Sequence, residues 1–256
     1  MGVALLKGWL KSGIGPVIVV EPMPSAEIKA LAKKKKIVLM DAPSGMTAKK
    51  FSACVVAIKP QILKDQAAAL KDVAGGGALM ISIAAGTGTG LLFRAWGGKA
   101  RIIRAMPNIA GAIGFGITGL YAAKGTAVAD RKRADGLLSA LGETLWVDKE
   151  ELVDSVTALS GSGPAYLFLM AEALTEAGIA EGLSKAQAEK LARATVFGAG
   201  ALLAADKSPA AALRQAVTSP GGTTEAALQV LMADDGLAVL IKRAVHAARK
   251  RAEELR

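Results

Sequence analysis

Up to about residue 152 the chain alternates two kinds of apolar pattern. Short β-branched runs at 17–21, 37–40, 53–58, 78–83, 102–105, 117–122 and 144–147 read as strands. Between them, 3–11, 25–34, 61–73, 88–95 and 127–141 carry apolar residues at helical spacing. Strand followed by helix, repeated, is the signature of a parallel sheet wrapped by helices. Gly13 and the triplet Gly75 to Gly77 stand where helices should stop.

Beyond residue 152 the strand signal ends. Helical patterning continues through 153–160, 164–178, 185–205, 210–218, 224–233 and 237–255. The pattern therefore predicts two domains, an α/β domain over 1–152 and an all-α domain over 153–256. Several of the later helices are apolar around much of their circumference, and a helix of that kind must be buried on more than one side. A domain of that size cannot cover them alone, so an intertwined helical homodimer is expected.

Composition narrows the class. In 256 residues, 52% hydrophobic content with only 4% aromatics gives a core of Ala, Val, Leu and Ile, which suits closely packed helices. The single cysteine, Cys54, excludes an internal disulfide, and its setting in SACVVAIKP reads as a small residue on a strand. The longest apolar stretch, 156–171, is interrupted by Ser160, Gly161, Ser162, Gly163 and Pro164, so no membrane span is expected. The opening MGVALLKGWLKSG lacks the small-residue cleavage site of a signal peptide, which points to the cytoplasm. The net charge of +10 raises the question of nucleic acid, but the densest basic run, Lys33 to Lys36, ends a helix, where cations suit the dipole. No aromatic interleaving or nucleic-acid motif accompanies it, and no nucleic-acid partner is expected.

The chemistry-bearing residues gather at element ends. The chain opens on a helix at Met1 and Gly2, followed by a strand ending in Glu21, 19 residues past Gly2. That is the second half of a dinucleotide-binding βαβ unit, with the carboxylate near the ribose-binding position. Such a unit begins with a strand and a G-x-G-x-x-G loop, so about a dozen further residues, forming the central strand and its loop, are expected ahead of Met1. Ala57, Ile58, Lys59 and Pro60 close another strand, as do Ile83, Ala84 and Ala85, and ligands of parallel sheets collect at the carboxyl ends of strands. In TSPGGTTEAALQVL, 218–231, Gly221 and Gly222 let the backbone come close to a ligand. The helix that follows offers free N–H groups and a positive dipole end to an anion, and Thr223 and Thr224 crowd hydroxyls there. Helix capping alone would use the same residue types. SGSGP, 160–164, is either a tight corner between helices or the floor of a pocket. His246, in IKRAVHAARKR, reads as a surface residue, and no His, Cys and Asp set has metal-ligand spacing.

VVAIKPQ (55–61), ISIAAG (81–86), RAMPN (104–108), ALSGSGPAYLFLMAEAL (158–174) and LRQAVTSPGGTTEAALQVL (213–231) occur in an order and at spacings that resemble pyrroline-5-carboxylate reductases. The resemblance runs through nearly the whole chain. It implies an NAD(P)-binding Rossmann domain followed by a helical domain that interlocks in dimers, with dimers building larger rings such as decamers. It implies reduction of the cyclic imine 1-pyrroline-5-carboxylate to L-proline by a nicotinamide hydride.

The same resemblance assigns roles. Thr224 would hydrogen-bond the ring nitrogen and help deliver its proton, while Ser219, Gly221, Gly222 and Thr223 hold the substrate carboxylate, and Ser160 and Gly161 form the pocket floor. Met1 and Gly2 would end the Gly-rich loop. With Glu21, Ala57, Ile58, Lys59, Pro60, Ile83, Ala84, Ala85 and Asn108 they would bind NADP or NAD. Glu21, in EPMPS, departs from the small hydroxyl or basic residues that many members place there. It repels a 2′-phosphate and accepts the diol of NAD, although Ser25 could still reach a phosphate. Two other readings compete. A β-hydroxyacid or ketopantoate-type dehydrogenase would need a catalytic lysine such as Lys185, Lys190 or Lys207, and a non-catalytic homologue would bind cofactor only.

Overall fold

All the strands expected from the pattern form: β1 (Ile18–Val20), β2 (Val38–Met40), β3 (Ala53–Val56), β4 (Leu79–Ser82), β5 (Arg101–Met106), β6 (Gly116–Ala122) and β7 (Gly142–Trp146). They are seen in a computed structural model that describes residues 1–44, 46 and 51–256. The chain divides into two compact units, Met1–Gly161 with Ala248–Arg256, and Ser162–Ala247.

The strands of the first unit lie in two sheets, β1 beside β2, and β3-β4-β5-β6-β7. Neighbours are parallel except β5 and β6, which run antiparallel. The expectation of an all-parallel sheet is corrected there. β5 is followed by a short 3-10 turn, Ile109–Ile113, in place of a crossover helix, so the chain turns straight back.

β4 shows why the pattern works. Its residues are all buried, and their side chains alternate between faces: Leu79 and Ile81 join one core cluster and Met80 the other. Each such aliphatic side chain taken from water contributes about 1.5–3 kcal/mol. The helix α1 (Gly2–Lys11) ties the two sheets together through side chains. Leu5, fully buried, packs with Leu79, Ile81 and Ile103, while its neighbour Leu6 packs with Ile28 of α2 (Ala26–Lys33) and with Ile37 around β1 and β2.

Two expected helices are interrupted. The span 61–73 becomes α3 (Pro60–Gln66), a 3-10 turn (Ala67–Leu70) and α4 (Lys71–Gly75). The carbonyl of Ala67 at that junction accepts the Trp96 indole N–H at 2.9 Å. The span 127–141 becomes α6 (Val128–Leu138) and a 3-10 turn (Ser139–Leu141), and there the Leu137 carbonyl accepts the Trp9 indole N–H at 2.6 Å. In both places a long-range partner claims a carbonyl that a continuing helix would use. Trp96 lies on α5 (Thr89–Trp96).

At the end of the first unit, α7 (Leu152–Val156) passes into a π-helical turn, Thr157–Gly161. The second unit holds α8 (Gly163–Ala180), α9 (Lys185–Ala205), α10 (Ala210–Ala216) and α11 (Thr223–Leu231). Ser184 and Gln187 form a reciprocal cap at the start of α9. α8 has no buried residue although Leu167, Phe168 and Leu169 lie on it, each more than half exposed. The last helix, α12 (Leu237–Leu255), begins in the second unit, and its end belongs to the first.

Candidate active site

In the first unit, the segments expected to hold a dinucleotide sit at the carboxyl ends of the parallel strands. α1 starts at Gly2 with neither a side-chain cap nor an acidic residue in its first turn, so its free N–H groups face no competing anion of their own. A Cβ on Gly2 would lie 3.2 Å from the Ala57 methyl, a close approach that brings the helix start against the end of β3. Lys59 caps α3, is exposed, and leads into Pro60 at its first turn. Glu21 follows β1, exposed, with its carboxylate accepting the Met23 amide at 3.0 Å. Ile83, Ala84 and Ala85 follow β4. The Ala84 methyl belongs to the core and its amide donates to the Ser82 hydroxyl at 3.4 Å, while Ile83 and Ala85 are half-buried. These features, a glycine-started helix with open amides and a carboxylate at the end of the next strand, fit a nicotinamide dinucleotide.

Asn108 follows β5, and its side-chain amide donates to Ser160 Oγ at 3.2 Å. This bond joins the end of β5 to the π-helical turn that carries Ser160 and Gly161. A π turn widens the helix and displaces its backbone groups, a feature that recurs at functional sites.

In the second unit, the bend before α11 is built for close approach. Gly221 has φ +69, open to glycine and strained for other residues, and its amide donates to the Glu225 carboxylate at 2.7 Å. The Gly222 amide donates to the Ser219 carbonyl at 3.0 Å. Gly222 is the residue before the first helical turn, and no side-chain hydrogen bond caps α11, so neither threonine hydroxyl is spent on capping. Thr224 is half-buried and Thr223 exposed, and the first amides of the helix are left without an intrahelical partner. The bend thus presents the first amides of α11 and two hydroxyls, with the Glu225 carboxylate of the same turn holding the Gly221 amide. Sequence reasoning passed over Glu225, whose signal was a carboxylate one turn after the glycine pair.

Other titratable groups stand apart. His246 is exposed on α12, and Lys185, Lys190 and Lys207 are exposed as well. Burial pushes the Cys54 thiol up to about 11, which leaves it a poor nucleophile. Among the described residues no group of His, Cys, Asp and Glu is placed to hold a metal, and no helix is long and apolar enough to cross a membrane.

Known proteins match this chain over its whole length. The reductase of Pseudomonas aeruginosa named pyrroline-5-carboxylate reductase is 37% identical over 257 residues, spanning 100% of this chain and 93% of that one. This chain belongs to the pyrroline-5-carboxylate reductase family. The enzyme of that name from Haemophilus influenzae is 35% identical, with 100% of this chain and 94% of that one covered. The family signature for pyrroline-5-carboxylate reductase dimerisation matches residues 150–255. Among solved structures, the pyrroline-5-carboxylate reductase of Coxiella burnetii superposes with a TM-score of 0.89 at 36% identity, covering 99% of this chain and 94% of that one. The Plasmodium falciparum pyrroline carboxylate reductase, solved with NADP bound, gives 0.82 at 26% identity, covering 100% and 94%. The fold of this pyrroline-5-carboxylate reductase family member is a Rossmann-type domain followed by helices, as the strand and helix pattern predicts.

Proposed function

We propose that the protein reduces 1-pyrroline-5-carboxylate to L-proline with NADPH or NADH, the last step of proline biosynthesis. The observation that carries this is identity of 35–37% with reductases of that name across the whole chain. Bound NAD(P)H supplies the hydride to the imine carbon, and the chain does the rest. Residues 1–152 hold the coenzyme, with Met1 and Gly2 at the pyrophosphate, Glu21 at the adenosine ribose, and Ala57 to Pro60, Ile83 to Ala85 and Asn108 along its length.

Residues 153–256 hold the substrate. Its carboxylate takes the first amides of α11, with Ser219, Gly221, Gly222 and Thr223 around it. Thr224 Oγ1 hydrogen-bonds the ring nitrogen and helps deliver the proton that nitrogen gains as the C=N bond becomes C–N, a proton that comes from water and is relayed through the hydroxyl. Ser160 and Gly161 close the floor. The open hydroxyls at the start of α11 support this reading.

The exposed apolar side chains of α8 support self-association as an intertwined homodimer, with decamers built from dimers. A cytoplasmic setting suits a chain whose single cysteine is a free thiol. The test is oxidation of NADH and NADPH by pyrroline-5-carboxylate, with proline as product. Protein that oxidises neither would end the proposal.

A further inference from the structure

A buried ion cluster in the first unit takes no part in the chemistry above. Arg104 on β5 and Asp154 on α7 have side chains only 3% and 1% exposed. Arg104 Nη1 lies 2.9 Å from Glu150 Oε1, and Nη2 lies 3.7 Å from Asp154 Oδ1. Arg256 Nη1 stands 3.4 Å from Asp154 Oδ2.

The two carboxylates are treated differently. Glu150 accepts both the amide and the hydroxyl of Thr89 at 2.6 Å, at the start of α5. Asp154 has no hydrogen bond to either oxygen among the described residues. Burial pushes its pKa up, and the Arg104 and Arg256 charges offset only part of that. A buried carboxylate without hydrogen bonds lowers stability where it stands. An asparagine of the same shape would avoid the cost of burying the charge.

What the charge holds is next to the coenzyme segment. Gly86, with φ +63, directly follows Ile83 to Ala85, and a Cβ there would lie 3.0 Å from both the Cβ and the carbonyl oxygen of Leu255. At Gly88 a Cβ would meet the Arg256 side chain at 3.3 Å and Glu150 at 3.4 Å. The loop Gly86 to Gly88 is therefore in close contact with Glu150, with Leu255 at the end of α12 and with Arg256, the residue after it, and Asp154 pairs with that arginine.

We propose that Asp154 is a positioning residue for the coenzyme loop: its buried charge holds Arg256, and Arg256 with Leu255 fixes Gly86 to Gly88 beside Ile83 to Ala85. The proposal rests on the reading that this loop lines the coenzyme site. It predicts opposite signs for stability and binding, which a merely structural role does not.

The test uses Asp154→Asn, Arg256→Ala and Arg256→Lys in the full chain. The thermal midpoint is measured alongside the NADPH dissociation constant from nicotinamide fluorescence. Asp154→Asn should unfold at the wild-type temperature or above it and bind NADPH about tenfold more weakly, a loss of about 1.4 kcal/mol. Arg256→Ala should show the same weakening, and Arg256→Lys, which keeps the charge, should restore binding. Unchanged affinity in Asp154→Asn and Arg256→Ala would overturn the proposal, as would a drop in midpoint that parallels the weaker binding. Wild-type protein that binds neither NADH nor NADPH would overturn the coenzyme reading itself, and the proposal with it.

Discussion

Replacing Thr224 by alanine isolates a single hydroxyl. The half-buried side chain sits in the first turn of α11, a helix with no side-chain cap to lose. Alanine is also the better helix former, by a few tenths of a kcal/mol. Stability should therefore hold or rise slightly. If the hydroxyl bonds the ring nitrogen as it gains its proton, the lost bond has a charged partner and contributes about 1.5–3 kcal/mol. At about 1.4 kcal/mol per factor of ten, kcat/KM should fall roughly ten- to a hundredfold. The assay is the loss of NADPH absorbance with pyrroline-5-carboxylate, with a melting curve on the same preparation. Thr224→Ser, which keeps the hydroxyl, should retain most of the rate. A Thr224→Ala variant with kcat/KM within about twofold of wild type would remove the hydroxyl from the mechanism.

Other perturbations probe separate parts of the molecule. Leu5→Ala empties a fully buried site shared by α1 and the five-stranded sheet, and should lower stability by about 2–5 kcal/mol in denaturant unfolding. Glu21→Ser removes the carboxylate after β1, so the ratio of kcat/KM for NADPH to that for NADH should rise; an unchanged ratio would show that Glu21 does not meet the ribose. Burial pushes the Glu150 pKa up, but hydrogen bonds from the Thr89 side chain and amide, together with Arg104, outweigh it and hold the group below its ordinary 4.5. Its contribution to stability is then present above pH 4.5 and is lost as the pH falls through the depressed value. Glu150→Gln should flatten that acid-side loss in thermal melts taken across the range.

The alternation of strand and helix was legible because parallel strands buried on both faces are apolar along most of their length, as β4 is up to Ser82. Direction was not: nothing in the run 117–122 says that β6 turns back against β5, since a strand has the same alternation read either way. The breaks after Gln66 and Leu138 were hidden for a different reason. Each depends on an indole N–H from a tryptophan far away in sequence, Trp96 or Trp9, and local periodicity carries no trace of such a partner. At the candidate site the glycine pair and the threonines were legible as a bend and a helix start, but helix capping uses the same residue types, so the site reading came from the resemblance. Arg104 gave a fainter sign, a charge inside the apolar run RIIRAM, but its partners Glu150 and Asp154 lie 46 and 50 positions later, beyond the reach of pattern.

The side-chain tether made by Leu5 and Leu6 bears on how the first unit breathes. β1 and β2 are short strands bonded to each other, and Leu6 packs against this pair while Leu5 packs against the larger sheet. Hydrogen exchange of the β1 and β2 amides, read with and without NADPH, reports on this corner of the first unit. Because Glu21 lies at the end of β1, a dinucleotide gripped there would stitch this corner down. Slower deuterium uptake confined to it would then mark the coenzyme's arrival.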